Sequence, residues 1–362
     1  MVNTSQGQPN IRKEEPNEMK KSQAEDSSFF ILHPTFSDIS RYRGELMGAA
    51  MLFIILFHVW LPRGDMFFGL RRCGNVGVDM FLFLSGMGLW YAWSKHPTLK
   101  QYFIRRYVRI YPAWLIIASL YYIPRFPKGG QLSDLLGDIL INWDFWLNCE
   151  LHFWYIPAIM MLYTVAPLYM ALIERQPLYR WLPVVAVTWC VMVEWVTPIH
   201  EAVGHLEIFW SRIPIFLIGI NMSEQIRQQR TVEPQAAWLL LLVFLMTFGT
   251  CVYLEQVKHG HFPIFIERML YIPLTVTGIF LLCHLLNHAP RWLNASLRFV
   301  GTISLEVYLI HVHFVLAYIQ PYRLGYWPTV ILVTIATLPL AWLLHRVLSP
   351  LQSSIIDKTK KI

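Results

Sequence analysis

Apolar runs of membrane-spanning length recur along this chain, separated by short polar segments. The first, Glu45–Leu61 (ELMGAAMLFIILFHVWL), holds a single strongly polar residue past Glu45, which is His58. At about 1.5 Å per helical residue, such a run crosses most of a hydrocarbon core of roughly 30 Å. Reading on in the same way predicts an all-α, polytopic membrane protein, a bundle of about ten transmembrane helices at 45–62, 75–94, 108–125, 152–173, 180–199, 205–222, 236–255, 263–286, 299–319 and 329–348. Residues 1–40 are polar, lack the apolar core of a signal peptide and read as a disordered cytoplasmic tail, with Phe29–Leu32 as a linker or a short surface piece. Residues 41–350 form the transmembrane domain, and 351–362 a short basic cytoplasmic tail. The longest loop, roughly 126–151, carries an amphipathic stretch from Leu132 to Trp146 that reads as an outer-surface lid or re-entrant element. No internal repeat is present, and no pair of Gly/Pro-interrupted half-helices stands in matching positions.

Composition supports this reading. Hydrophobic side chains make up 55% of the chain and charged ones only 15%, too apolar for soluble domains. Fifteen Trp and seventeen Tyr suit the aromatic belts of a membrane interface. The net charge of +7 would suggest nucleic acid until the charges are placed. With the N-terminus inside, 21 of the 30 Lys and Arg fall on inner segments and seven on outer loops, which puts both termini in the cytoplasm of a multi-pass cytoplasmic (inner) membrane protein and leaves no nucleic-acid surface. The five cysteines show no C-x-x-C spacing, so neither a zinc site nor a disulfide framework is indicated, although Cys73 and Cys149 would share the outer side.

That topology sorts the ionisable residues. An ionisable group at mid-span costs about 2.5–3.5 kcal/mol on insertion scales, so each one inside an apolar run is a functional candidate. His58, Asp79, Glu150, His152, Arg212, Glu267, Arg268, His311 and His313 all fall in the outer half, on six different spans. Singly, each is as well explained by hydrogen-bonded packing or by wetting at the headgroups. Together they suggest a site in which Asp79 orients His58 as a general base. His311 and His313 lie about 200° apart on a helix and cannot readily share a metal, and no H-E-x-x-H or G-x-S-x-G motif is present, so no metal is expected. At the inner end, Arg105 and Arg109 share a helical face next to Arg106, a forked donor site suited to phosphates or, more simply, a determinant of topology.

Three stretches then carry a likeness. Glu45-Leu46-Met47-Gly48 to Phe57-His58, Gly77-Val78-Asp79 to Ser85-Gly86, and Phe103-x-Arg105-Arg106-x-x-Arg109-Ile110-Tyr111-Pro112 resemble the acyltransferase-3 family of integral-membrane O-acyltransferases. Trp154–Ala158, Arg212-Ile213-Pro214-Ile215-Phe216 and Ser304–His311 extend the likeness over most of residues 41–347. The resemblance implies ten helices, an acyl-CoA donor, usually acetyl-CoA, on the cytoplasmic side, and a hydroxyl acceptor on a cell-surface or lipid-linked carbohydrate. It also implies an essential first-span motif of Arg, ten residues, then His. Here Met47 stands where that arginine is expected, and Arg43, one turn earlier on nearly the same face, is the residue able to supply the charge.

The sequence thus reads as a membrane O-acetyltransferase. His58 and Asp79 are the catalytic pair, Arg43, Arg105, Arg106 and Arg109 hold acyl-CoA, and Ser85, Glu150, His152, Arg212, Glu267, Arg268 and His311 surround the acceptor or the oxyanion. Its partners are acyl-CoA, a carbohydrate acceptor and membrane lipid. A flippase or exporter of a lipid-linked glycan, or a non-catalytic membrane sensor, would share the polar interior. Neither would transfer label from acetyl-CoA to a glycan.

Overall fold

Helix forms on every apolar run, and the places where it stops have local causes. The computed structural model describes residues 35–228 and 230–360; most of the expected N-terminal tail, with Phe29–Leu32, lies outside the described residues. Where the description begins, Thr35 caps the short helix Phe36–Arg41 through a reciprocal capping box with Asp38. Each of the ten expected spans falls on helix, beginning with Arg43–His58, Val76–Trp93 and Leu99–Tyr122 and ending with Tyr326–Lys360. No strand occurs among the described residues, only an isolated bridge between Thr35 and Thr231. Among the described residues, five helices are long and apolar enough to cross a membrane, or up to seven when each of two bent pairs is taken as one span. The last helix runs on through Lys360, into the expected C-terminal tail.

The first span is shorter than its apolar run. It ends at His58 because Val59 turns extended, three residues before Pro62. Proline also holds its predecessor Leu61 out of helical geometry. Ending a helix strands carbonyls that need donors. Arg71, on the short Phe68–Cys73 helix that follows, supplies them: its guanidinium donates to Phe57 O at 2.5 Å and to Val59 O at 2.7 Å.

The expected ninth span is broken. Arg291–Thr302 and the helical run Ser304–Tyr322 meet at Ile303 with a bend of 64°. Arg291–Thr302 lies directly on the first span, where a Cβ on Gly48 would collide with the Leu297 carbonyl and one on Gly301 with the Gly44 carbonyl. Small residues spaced four apart let helix backbones approach in this way, and Gly44 and Gly48 have that spacing. Beside them the buried Glu45 accepts from Arg298 at 2.5 and 3.0 Å, so an ion pair fixes the same crossing. Gly86 and Gly219 allow a second close crossing, between Val76–Trp93 and Ile213–Arg227.

The amphipathic stretch of the long loop forms two helices, Leu132–Ile141 and Trp143–Asn148, rather than one. Asn142 breaks it by adopting a left-handed φ of 51°, which asparagine tolerates better than most residues. Its buried amide then donates to His152 O at 2.7 Å and accepts from the Tyr122 hydroxyl at 3.0 Å. Leu132, Leu136 and Leu140 face outward, and the Tyr111 hydroxyl reaches Leu140 O at 3.2 Å. The segment therefore folds back along Leu99–Tyr122 with an apolar outer face.

A leucine at position 48 has no room against the Leu297 backbone. Gly48→Leu is expected to lower stability by about 1–3 kcal/mol or to abolish the fold, through overpacking. Thermal melting of the protein in detergent checks this; an unchanged melting temperature would remove the close crossing.

Candidate active site

The histidine that ends the first helix is held by backbone, not by an acid. His58 Nδ1 lies 2.8 Å from Ile54 O, one turn back. A carbonyl can only accept, so Nδ1 carries the proton and Nε2 keeps its lone pair. The second ring of the site is His311, fully buried, at the start of the π-helical turn His311–Leu316. Its Nδ1 lies 2.9 Å from both Val307 O and Tyr308 O, which fixes the same tautomer. His311 Nε2 therefore accepts, and it stands 3.3 Å from His58 Nδ1, with the two rings edge to face at 5.0 Å. The π turn also separates His311 from His313. The His313 ring packs on Phe153 at 4.4 Å, Tyr121 at 4.9 Å and His152 at 5.1 Å.

Asp79 does not orient His58. Its buried carboxylate pairs instead with the buried guanidinium of Arg212, on the helix packed against its own. The two residues meet because the close Gly86 and Gly219 crossing puts their helices side by side, a lateral relation that depth along the chain does not reveal. The Arg212 guanidinium stands 5.8 Å from the Tyr271 ring centre, and the Tyr271 hydroxyl donates to Glu267 at 2.8 Å. Arg268 pairs with Glu207 at 2.9 Å. Glu150 and His152 approach to 3.5 Å near the surface. The residues expected to converge on one point thus form three groups: the His58 and His311 pair, the ionic cluster around Asp79 and Arg212, and the rim with Glu150, His152 and His313.

Next to the backbone that holds the histidine pair lies a cavity of ≈ 110 Å³. Its walls include Ile54 and Tyr308, the residues whose carbonyls hold the two histidines, together with Phe81, Ser85 and Tyr155. Arg43, Arg106 and Arg109 line it too. None of the three has a carboxylate within ion-pair distance among the described residues. Arg43 stretches across the second span to Leu84 O at 3.4 Å, beside Gly88, whose missing side chain leaves it room. Met47 shares the cavity wall, so the charge expected at position 47 is carried in the same space by Arg43. Arg105 is not part of the lining; the fork is Arg106 with Arg109, three residues apart on one face.

A histidine and a carboxylate of this cavity did not figure among the expected site residues. His345, on the last helix, lies 2.9 Å through Nδ1 from Oε1 of the buried Glu306, and both line the space with the arginines. The available signal was an acid inside the apolar run Ser304–His311 and a histidine near the end of another. A larger space of ≈ 760 Å³, bordered by Phe53 and Leu56 of the first helix, is walled almost entirely by apolar side chains and includes neither His58 nor His311.

A family model described as an acyltransferase domain (acyltransferase-3) matches residues 48–346. No curated protein and no solved structure matches the chain.

The Asp79 and Arg212 pair is sealed from solvent, so removing one partner leaves a bare charge. Asp79→Asn is expected to cost about 3–5 kcal/mol, and the double change Asp79→Leu with Arg212→Met distinctly less than the sum of the singles. A double-mutant cycle on thermal unfolding measures this; additive losses would mean that the two charges do not depend on each other.

Proposed function

Because the chain belongs to the acyltransferase-3 family and is a membrane acyltransferase, we propose that it moves an acetyl group from cytoplasmic acetyl-CoA to a hydroxyl of a cell-surface or lipid-linked carbohydrate, with His58 as general base. One observation carries this reading. A cavity with three arginines in its wall, none of them ion-paired among the described residues, ends against the layer that holds His58, whose Nδ1 proton is committed to Ile54 O. Nε2 is then the ring atom with a lone pair to take a hydroxyl proton.

Arg43, Arg106 and Arg109 suit the phosphates of CoA, which bind best to forked, charge-assisted donors. The small volume of the cavity favours acetyl over a long acyl chain. The 21-to-7 distribution of positive charge supports an arginine end in the cytoplasm, both termini inside and ten crossings of the cytoplasmic membrane. The acceptor then meets His58 from the opposite side, where Glu150 and His152 form a polar rim. Arg212, bound to Asp79 and absent from the cavity wall, is replaced in the oxyanion role by Tyr308. The Tyr308 oxygen accepts the Tyr155 amide at 3.2 Å, so its own proton is free to be donated. Membrane lipid fills the apolar groove on the other side of the first helix.

Transfer of label from acetyl-CoA to glycan by the purified protein tests the reading. His58→Gln should lower turnover by about 10²–10⁴-fold with CoA binding unchanged, since glutamine keeps a hydrogen bond but cannot take up the proton. Substantial turnover in that variant would end the assignment of the base. Arg106→Gln with Arg109→Gln should weaken CoA binding by about tenfold or more for each charge-assisted bond lost, as measured by calorimetry. Unchanged affinity in folded protein would leave the arginines as determinants of topology.

A further inference from the structure

The Glu306 and His345 pair has no part in the chemistry assigned so far, yet it lies in the same cavity as the arginines. Glu306 is buried, and a buried carboxylate among apolar helices is tolerated only when paired. His345 Nδ1 meets its Oε1 at 2.9 Å, which turns the other ring nitrogen, Nε2, away from the acid. A ring oriented by an acid, with its other nitrogen left outward, is suited to deliver a proton, whereas the carbonyl-held His58 presents a fixed lone pair to take one.

Transfer from a thioester requires both. The acceptor oxygen must lose a proton as its lone pair forms the new C–O bond, and the sulfur must be stabilised as it leaves with the C–S electron pair. With donor and acceptor entering from opposite ends, the sulfur lies on the arginine side of the carbonyl. His58 is not in the cavity wall, and His345 is. We propose that His345 is the donor-side general acid, delivering its Nε2 proton to the departing sulfur so that CoA leaves as the free thiol, with Glu306 as its positioning residue. The proposal rests on the acetyl-CoA reading above. In each turnover one proton passes from the acceptor hydroxyl to His58 and one from His345 to sulfur, and both rings return to their starting states by exchange with solvent.

A purely mechanical role is the alternative, because the pair also ties the helix Ser304–Ile310 to the last helix. Leaving-group dependence separates the two. His345→Gln should reduce transfer from acetyl-CoA by about a hundredfold with CoA affinity unchanged. The deficit should shrink to nearly nothing with S-acetyl-4-nitrothiophenol, whose thiolate leaves without help. Glu306→Gln, with His345 intact, should show the same donor dependence more weakly, and it carries the test if His345→Gln fails to fold. Equal deficits with both donors, or full activity of His345→Gln on acetyl-CoA, would make the pair a tether and overturn the proposal. His58→Gln is the control: it should stay inactive with both donors, since the acceptor proton must still be removed. Its activity on both would defeat the base assignment and leave the role of His345 to be judged on its own donor ratio. Absence of any transfer from acetyl-CoA by the unaltered protein would defeat the functional reading itself.

Discussion

Asp79 and Arg212 are almost completely buried and opposite in charge, and each is tolerable inside an apolar bundle only because of the other. Their pairing sets the register between Val76–Trp93 and Ile213–Arg227, which approach closely at Gly86 and Gly219. Much of the candidate site depends on where that second span lies. Phe81 and Ser85 form part of the cavity wall, and the carbonyls of Leu84 and Gly88 support Arg43 and Arg106. An acid committed to this structural bond is not available to a histidine.

With the acid engaged, the orientation of His58 falls to the backbone. Its ring is fixed by a carbonyl of its own helix, and the end of that helix is secured by Arg71 bonding the carbonyls on either side of it. His311 is fixed in the same manner at the start of a π turn, and its Nε2 faces His58. Such turns recur at functional sites because they rotate one side chain out of helical sequence at modest cost.

Much of this was legible in the sequence, and the parts that were not share a cause. Helix positions follow from apolar length, and depth follows from position along a span, so His58, Asp79 and Arg212 could be placed at similar depth. Lateral neighbourhood is a different quantity. Asp79 and Arg212 are 133 residues apart, Glu306 and His345 are 39 apart, and nothing in local pattern says which helices touch. The same limit explains the fork: Arg105 shares a face with Arg109, but the cavity lies on the side of Arg106, Arg109 and Arg43. The end of the first span at His58 and the break at Asn142 had local signals, Pro62 in one case and an asparagine able to adopt positive φ in the other. Apolar length outweighed both.

The two kinds of support given to histidine in this protein lead to different chemistry. A neutral carbonyl at Nδ1 fixes which nitrogen carries the lone pair without adding a negative charge. A carboxylate at Nδ1 fixes the ring in the same way and places a negative charge beside it. His58 and His311 have only the first kind of partner, and His345 has the second. The carboxylate stands beside the histidine of the cavity rather than the one at the end of the first span, and on the proposed reading this keeps the base and the acid apart. A substrate bridging the two would meet the base at one end and the acid at the other.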